Sequence, residues 1–291
     1  MKYLASKDCL LFSFLSELYP DSSHNTLRSW LKAGRVHVNG KQAVKANLAL
    51  TQGAEVMVGP KVNFLDHGIK VLFEDDDLVV LEKPEGLLSV ATDFDDSISV
   101  HSILKKRFHK QRVFPVHRLD RETSGVMIFA YSDYARKQLK SQFEKHTIEK
   151  VYYAIVEGKL PQPTGKWESY LEEDALYFVS STTELGKGKL AITHYEQVRT
   201  NQHYALLRLM PLTGKKHQLR VHCREAGITI AGDKRYEAQH NPLDRLCLHA
   251  HKITFTHPAT GKRMTFESAI PLAFEGIIAL PRSKEAIASK A

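Results

Sequence analysis

The amino-acid sequence is poor in the residues and motifs on which several large enzyme classes depend. It has three cysteines, Cys9, Cys223 and Cys247, and no Cys-x-x-Cys pair, which predicts free thiols and argues against a disulfide framework or a zinc site. It has no phosphate-binding P-loop and no G-x-G-x-x-G motif after a strand. The histidines within 217–222 and 249–251 have no carboxylate or cysteine at a metal-binding spacing. We therefore expect neither a metal nor a cofactor.

Long hydrophobic runs are also missing, and no segment approaches the roughly 20 apolar residues that a membrane-spanning helix requires. The N-terminal run CLLFSFLSELYP is short for a signal peptide, contains Glu17 and lacks a small-residue cleavage site. Its Leu11, Phe14, Leu15 and Leu18 have helical spacing instead. The composition, 43% hydrophobic and 25% charged, is that of a globular protein. We expect a cytoplasmic monomer with no membrane partner.

An excess of positive charge is present and indicates an anionic partner. The formal net charge is +8 and the pI is about 9.2. Residues 101–119 contain six lysines and arginines, and residues 213–224 contain four, in both cases without an acid. A basic run alone is typical of a solvated surface. If the two runs converge, however, they form a cleft able to hold a phosphate backbone.

Residues 1–60 have the pattern of a separate small domain. Apolar spacing predicts a helix over residues 10–19 and a second helix that begins near residues 22–23. The pair Asn39-Gly40 predicts a hairpin turn between two short strands. The segment GAEVMV predicts a further strand.

Residues 61–68 predict a linker, and residues 69–291 form the second predicted domain. Strand-like runs such as LVVLEKP, GVMIFAYS and VYYAIVEG are frequent there, and the clearest helix spans about residues 132–146. Many strands with scattered helices predict an α+β fold with a mixed, mostly antiparallel central sheet and flanking helices.

The stretch PVHRLDRETSGVMIFA, residues 115–130, places Asp120 between Arg118 and Arg121. Neighbouring arginines favour the charged form of a carboxylate and orient it, and such a carboxylate can attack an activated carbon. From the local sequence alone, a structural salt bridge is the stronger interpretation and catalysis the alternative. A hydrolase that uses Asp120 would need a group to activate water, and His117 is the nearby candidate.

The same stretch resembles the signature of the RluA-type family of pseudouridine synthases. EDDDLVVLEKPEGLL resembles a family motif with Lys83, EKVYYAIVEG resembles one with Tyr152 at the active-site tyrosine position, and LTGKKHQLRVH resembles the motif whose arginine, here Arg220, pairs with the catalytic aspartate. GDKRY and RLCLHAHKITFTHPATG continue the resemblance, which covers most of residues 69–265. At Lys215 the chain departs from the family, which commonly has an arginine there.

The resemblance implies an enzyme that isomerises uridine to pseudouridine in RNA, without a cofactor, after the base has left its stack. It implies that Asp120 acts on the ribose or on the pyrimidine ring, and that Arg220 holds Asp120. It further implies that Tyr152 stacks on the base and that Leu219 lines the base pocket. The remaining residues of the predicted substrate-binding set are Arg118, Arg121, Lys215, Lys216, His217 and Gln218.

Residues 1–60 resemble the αL RNA-binding module of a small-subunit ribosomal protein, the S-four fold. The resemblance lies in two helices, in L-x-x-G-R-V-x-V-N-G and in the closing G-x-E-V-x-V. It implies RNA contacts that add affinity but no chemistry, and a small packing domain is the alternative. The predicted RNA-contacting residues of this module are Arg28, Lys32, Arg35 and Lys41.

The module favours large-subunit ribosomal RNA as the substrate, and tRNA is the alternative within the same family. A catalytically silent RNA-binding or ribosome-assembly factor is the alternative from another class. That alternative predicts a damaged site, whereas Asp120, Tyr152 and Arg220 are all present.

Overall fold

The structure is a computed structural model that describes residues 2–20, 22–32, 34–43, 45–59, 63–91, 98–108, 112–184 and 186–279. The chain divides into two compact units, Met1–Phe64 and Leu65–Ala291. The division falls inside the segment 61–68 that the sequence predicts as a linker, of which residues 61 and 62 lie outside the described part. No described helix is long and apolar enough to cross a membrane.

Two short helices and short antiparallel strands make up the first unit. Its elements are β1 (Lys2–Leu4), β2 (Cys9–Leu10), α1 (Leu11–Leu18), α2 (His24–Lys32), β3 (Val36–Val38), β4 (Lys41–Gln42), β5 (Ala49–Leu50), β6 (Glu55–Val58) and β7 (Asn63–Phe64). Strands β1, β6, β3 and β4 form one sheet in that order, and β2 pairs with β5. Leu11 and Leu15 of α1 and Leu27 of α2 are completely buried in one core with Val36 and Val56.

Local sequence signals determine where these elements begin and end. The hydroxyl of Ser23 accepts the backbone N–H of Thr26 at 3.2 Å, which caps α2. Gly34 has φ of +67° and follows the end of α2, a position and conformation that favour glycine. Asn39 and Gly40 have φ of 49° and 77°, and a two-residue hairpin turn needs positive φ at both positions. The predicted hairpin therefore forms between β3 and β4.

One large sheet with flanking helices makes up the second unit. Its elements are β8 (Lys70–Glu74), β9 (Leu78–Lys83), α3 (Val100–Arg107), β10 (Phe114–Pro115), β11 (Ser124–Ala130), α4 (Asp133–Glu144), β12 (Glu149–Glu157), β13 (Thr164–Glu173), β14 (Val179–Thr182), β15 (Lys189–Thr200), β16 (Tyr204–Pro211), α5 (Gln218–Glu225), β17 (Leu248–Thr256), β18 (Arg263–Glu267) and α6 (Leu272–Ala279). The strand order is β14-β13-β15-β16-β12-β17-β11-β9-β8, with β10 beside β11 and β18 beside β17. Among the strand pairs described, only β11 and β17 run parallel. This confirms the predicted α+β fold with a mixed, mostly antiparallel sheet.

Strand β9 shows how helices cover both faces of this sheet. Val79 and Leu81 pack into a cluster with α3, and Leu78 and Val80 pack into a cluster with α4. All four side chains are completely buried, because successive residues of a strand point to opposite faces. Helix α4 is capped by Ser132, at the start predicted from the sequence.

Gly125 permits the parallel pairing of β11 with β17. Its φ is +120°, and a Cβ added there would lie 2.2 Å from the carbonyl oxygen of Ala250. Both the backbone conformation and the lack of space therefore require glycine. Since β11 begins directly after the loop that contains Asp120, this pairing fixes one end of that loop.

Candidate active site

The loop between β10 and β11 carries Asp120 and is fixed on both sides of it. The hydroxyl of Ser89 donates to the carbonyl of Leu119 at 2.7 Å and accepts the N–H of the same residue at 3.0 Å. The N–H of Thr123 donates to the carbonyl of Asp120 at 3.1 Å. The Asp120 side chain remains 27% exposed. The carboxylate is thus held in place but open to solvent.

Lys83, completely buried at the end of β9, connects two loops. Its Nζ donates to the carbonyl oxygens of Pro84, Leu87 and Arg121 at 2.8, 2.7 and 3.0 Å. Three acceptors match the three N–H bonds of an ammonium group. Gly86 also donates its N–H to the carbonyl of Arg121 at 2.8 Å, and Arg121 Nε donates to the carbonyl of Gly86 at 3.1 Å. These contacts tie the loop after β9 to the loop before β11.

The charge of Lys83 depends on its surroundings. Burial lowers the pKa of Lys83 to about 7, and the negative charges of Asp120, Glu122 and Glu85 oppose this shift. Burial disfavours the charged amine because it removes its water. The neighbouring carboxylates therefore help to retain the ammonium form that the three carbonyls bind.

Arg220, on α5, connects Asp120 to a second carboxylate. Its Nη1 donates to Asp120 Oδ2 at 3.3 Å. Its Nε and Nη2 donate to Oδ2 and Oδ1 of Asp233, each at 2.7 Å. Burial alone would lower the pKa of Arg220, but its hydrogen bonds to Asp233 and the charges of Asp233, Asp120 and Glu122 raise it above the usual value. Arg220 is therefore a permanent cation at this site.

Sequence reasoning missed Asp233. The available signal was the segment GDKRY, which continued the family resemblance without a role for any of its residues. A buried ion pair between residues 13 positions apart has no local sequence signature, because it depends on how α5 packs against the turn that contains Asp233.

His217 precedes α5 and lies beside Asp120. The hydroxyl of Tyr236 donates to the carbonyl of Val179 at 3.0 Å, so it accepts a hydrogen bond from Nδ1 of His217, also at 3.0 Å. This fixes the proton on Nδ1 and leaves Nε2, 4.0 Å from Asp120 Oδ2, as an acceptor. Burial lowers the pKa of His217, although the Asp120 charge opposes the shift. Burial thus favours a neutral imidazole beside the carboxylate.

Tyr152 and Tyr153 point to opposite faces of β12. Tyr152 is half-buried between two hydrophobic clusters, and burial followed by the Asp120 charge raises its pKa. Tyr153 packs edge-on against His251 with ring centroids 5.0 Å apart. Tyr152 is therefore the tyrosine of this pair that responds to the Asp120 carboxylate.

Two neighbouring residues of the predicted substrate-binding set, Gln218 and Leu219, are buried. The amide of Gln218 accepts from the hydroxyl of Thr213 and the N–H of Lys215, and it donates to Ile192 and Thr193. The side chain is 3% exposed, so its polar atoms are occupied within the fold. Such a satisfied, buried amide supports the turn before α5, so the predicted RNA contact of Gln218 would have to compete with these hydrogen bonds.

Leu219 is also buried and packs in the same cluster as Tyr152, which is compatible with an apolar wall beside that ring. Lys215 is half-buried, and Lys216 is exposed. The ammonium of Lys216 pairs with Glu173 and lies 5.3 Å from the ring centroid of Tyr177. Of these two lysines, Lys216 is thus already engaged at the protein surface.

Arg118 and Arg121 flank Asp120 in the sequence but differ in their surroundings. Both side chains are exposed. Arg121 is tied to the loop after β9 through the carbonyl of Gly86. Among the described contacts, the guanidinium against Asp120 is that of Arg220 and not that of a sequence-adjacent arginine.

His117 does not support the hydrolase alternative. Its Nε2 accepts the backbone N–H of Ile128 at 3.0 Å, and burial, followed by the charge of Lys150, lowers its pKa to about 3. The imidazole also packs 4.8 Å from the ring of Phe143. A buried nitrogen that already accepts a hydrogen bond cannot activate water at Asp120.

Asp75, Asp77 and His257 form a group that sequence reasoning did not detect, and their ligand-type atoms lie within 4.8 Å of one another. Nδ1 of His257 accepts the N–H groups of Ala259 and Thr260 at 3.3 and 3.2 Å. The proton therefore lies on Nε2, which donates to Asp75 at 2.8 Å. Because no lone pair of the histidine remains, the group fits a structural hydrogen-bond cluster and not a metal site.

In the first unit, Arg35 has a structural environment. Its Nε and Nη2 donate to the carbonyl of Gly59 at 3.1 and 3.0 Å. Its guanidinium lies 4.6 Å from the ring centroid of Trp30. These contacts hold the end of β6 against α2, so the predicted RNA contact of Arg35 would have to compete with them.

The other three basic residues predicted to contact RNA differ from Arg35. Arg28 and Lys41 are exposed, and the guanidinium of Arg28 lies 5.3 Å from the ring centroid of Phe12. The side chain of Lys32 lies outside the described part of the structure. Arg28 and Lys41 are thus the two described side chains of this set that are available at the surface.

Comparison with known proteins gives the family. The family model described as RNA pseudouridylate synthase matches residues 77–225, slightly more than half of the chain and the region that contains Asp120, Tyr152 and Arg220. The chain belongs to the RNA pseudouridylate synthase family, and it is an RNA pseudouridine synthase. The predicted family and enzyme class are confirmed.

Individual relatives agree with this assignment. The chain is 36% identical over 208 residues to the dual-specificity RNA pseudouridine synthase RluA of Haemophilus influenzae, a match that covers 70% of this chain and 94% of that protein. It is 30% identical over 283 residues to the ribosomal large subunit pseudouridine synthase D of Neisseria meningitidis, covering 90% of this chain and 75% of that protein. The solved structure of human RNA pseudouridylate synthase domain containing 4 is similar with a TM-score of 0.58 at 25% identity, over 70% of this chain and 90% of that one.

Replacing Lys83 with methionine tests the connection between the two loops. The variant keeps an unbranched side chain but leaves three carbonyls without their donor, so we expect the free energy of unfolding to fall by about 3 kcal/mol or more. Urea unfolding followed by circular dichroism measures this. Lys70→Met on β8, whose half-exposed amine is 3.8 Å from Glu82, is the matched control and should cost under about 1 kcal/mol. Equal losses of unfolding free energy in the two variants would contradict the role of Lys83 in joining the two loops.

Proposed function

We propose that Asp120 is the carboxylate that acts on the flipped uridine, and that the natural substrate is large-subunit ribosomal RNA. The observation that carries the first part is the contact between Asp120 Oδ2 and Arg220 Nη1 at 3.3 Å, in a loop fixed on both sides. A charged, oriented and partly exposed carboxylate is what nucleophilic or base chemistry on a bound nucleotide requires.

The reaction needs little beyond such a group. Pseudouridine formation breaks the bond between the anomeric carbon of ribose and N1 of uracil, and joins the same carbon to C5 of uracil. The proton of C5 is released and N1 gains a proton, so the nucleotide keeps its composition. Asp120 acts on the ribose or on the pyrimidine ring. Neither course requires electron transfer or phosphate transfer.

The uridine must leave its stack before the carboxylate can reach it. Tyr152 offers the extruded base an aromatic face, a contact worth about 1–3 kcal/mol, and Leu219 offers an apolar wall. Arg118, exposed two residues before Asp120, is placed to contact the RNA backbone or to occupy the vacated position in the helix. Lys215 and Lys216 add positive charge in front of α5.

Asp120→Asn tests the assignment of the carboxylate. The amide keeps the shape of the side chain but has no charge, so we expect RNA binding within about 3-fold of wild type and turnover reduced at least about 1,000-fold. Release of tritium from C5-labelled uridine in RNA measures turnover. Glu122→Gln, which removes a neighbouring carboxylate that is 53% exposed, is the matched control and should remain active. Substantial turnover by Asp120→Asn would refute the proposal.

The choice of ribosomal RNA is supported by the extent of the match to the Neisseria enzyme. That match leaves only a tenth of this chain uncovered, so it extends into the first unit, whereas the match to the Haemophilus enzyme covers 70%. An enzyme with an additional RNA-contacting unit is suited to a large folded RNA.

Pseudouridine mapping tests this choice of substrate. Total RNA is compared between cells that lack the protein and the same cells supplied with the wild type or with Asp120→Asn. We expect pseudouridine to be lost from large-subunit ribosomal RNA and restored only by the wild type. Loss confined to tRNA would contradict the ribosomal assignment while leaving the enzyme class intact.

We further propose that residues 1–60 bind RNA without taking part in the chemistry. These residues carry seven lysines and arginines against four acids, and Arg28 and Lys41 are exposed. Each side chain that neutralises a phosphate releases counterions and so adds to the salt dependence of binding.

The double variant Arg28→Gln, Lys41→Gln tests this role in the full chain. We expect the slope of log affinity against log salt to fall by about one to two, with kcat at saturating RNA unchanged. The control is Lys2→Gln, Lys7→Gln, which loses the same charge from amines that pair with Glu55 and Glu17. Equal slopes for the two double variants would show that the Arg28 and Lys41 side chains are not specific RNA contacts.

A further inference from the structure

The segment GDKRY, Gly232–Tyr236, continues the family resemblance but has no part in the function proposed so far. Its Asp233 has no exposed surface and lies against Arg220. We propose that Asp233 is a positioning residue that holds the guanidinium of Arg220 so that a single nitrogen reaches Asp120. This inference deepens the proposed function and rests on Asp120 being the reacting carboxylate.

The distances identify which carboxylate is the main partner of Arg220. Asp233 accepts two hydrogen bonds of 2.7 Å, from Nε and Nη2. Asp120 accepts one of 3.3 Å, from Nη1, and the exposed carboxylate of Glu122 is 3.9 Å from the same nitrogen. Two parallel bonds to a carboxylate fix both the position and the plane of a guanidinium. Asp233 therefore determines where Nη1 points.

Asp233 is itself fixed by the turn around it. Its Oδ1 accepts the N–H of Tyr236 at 3.2 Å. The preceding Gly232 has φ of +77°, and a Cβ there would lie 1.9 Å from the carbonyl oxygen of Arg245. The ring of Tyr236 lies 5.2 Å from the guanidinium of Arg220, and its hydroxyl binds His217. One turn thus positions both groups that flank Asp120.

The way in which Arg220 divides its N–H donors between Asp233 and Asp120 affects the chemistry available to Asp120. Among the described residues, the ion pair of its carboxylate with Arg220 involves Oδ2, and Nε2 of the neutral His217 lies 4.0 Å from the same oxygen. Without Asp233, Arg220 would be a buried cation with Asp120 as its nearest carboxylate. Guanidinium and carboxylate groups favour a bidentate arrangement, which would engage both oxygens of Asp120. Asp233 keeps the contact single and leaves Oδ1 for the substrate.

Asp233→Asn removes the charge and keeps the size of the side chain. We expect kcat for tritium release to fall about 100-fold, because the carboxylate is mispositioned, with KM for RNA within about 3-fold. Asp233→Glu keeps the charge and should recover part of the lost kcat. Glu122→Gln, which removes the other carboxylate near Arg220, is the control for loss of charge.

The pH profile separates positioning from a purely structural role. Among the described residues, the charged and titratable groups near Asp120 or its partner Arg220 include His217, Glu122, Lys83 and Tyr152. In Asp233→Asn the positive charge of Arg220 is no longer balanced by Asp233 and acts more strongly on Asp120, so the acid limb of kcat should move to lower pH by about half a unit or more. Loss of structure alone would loosen Arg220, and the acid limb would then move to higher pH or stay unchanged. Repeating the profile with His217→Gln shows whether the limb belongs to the histidine.

Arg220→Lys provides a test that does not depend on the folding of Asp233→Asn. Lysine keeps the charge but lacks the planar fork that can bridge two carboxylates, so we expect a folded protein by circular dichroism and a kcat at least about 10-fold lower. A wild-type kcat in this variant, or a wild-type kcat and acid limb in folded Asp233→Asn, would overturn the inference.

Asp120→Asn is assayed in parallel. If it is active, the proposed function fails; if it is inactive while Asp233→Asn behaves as wild type, only the role of Asp233 fails.

Discussion

The guanidinium of Arg220 lies between two carboxylates that differ in exposure, and the geometry of the site depends on how its donors are shared. Asp233, with no exposed surface, receives two short hydrogen bonds, and Asp120, 27% exposed, receives one longer bond. A buried cation is stable only with a matched partner, and Asp233 provides one. The remaining nitrogen can then orient a carboxylate at the surface without enclosing it.

The backbone around Asp120 follows the same principle of satisfied buried groups. Ser89 fixes Leu119, and Lys83 fixes Arg121, so hydrogen bonds hold the positions on both sides of Asp120. Gly125 then lets β11 approach β17 where a side chain would collide with the neighbouring backbone. Such pre-organisation reduces the cost of ordering the carboxylate when RNA binds.

Much of the fold and part of the site could be predicted because their signals are local or belong to the family motifs. The hairpin at Asn39-Gly40 and the start of α4 at Ser132 depend on a few adjacent residues, and both form where expected. The surroundings of Gln218 could not be predicted, for the opposite reason. Its neighbours in sequence are basic, but its hydrogen-bond partners include Ile192 and Thr193 on a distant strand, and no local pattern reveals them.

The sequence by itself determined the family and the α+β class, and it singled out Asp120 as the candidate acid, because these depend on residue types at fixed spacings along the chain. The family resemblance also implied that Arg220 pairs with that acid, but only the tertiary structure showed that Arg220 divides its donors between Asp120 and Asp233. Two arginines adjoin Asp120 in sequence, yet the guanidinium against its carboxylate comes from α5, 100 residues away. The residues next to Asp120 in the chain lie on an exposed loop. The packing of α5 against a buried aspartate, by contrast, brings a distant side chain within hydrogen-bond distance of Asp120.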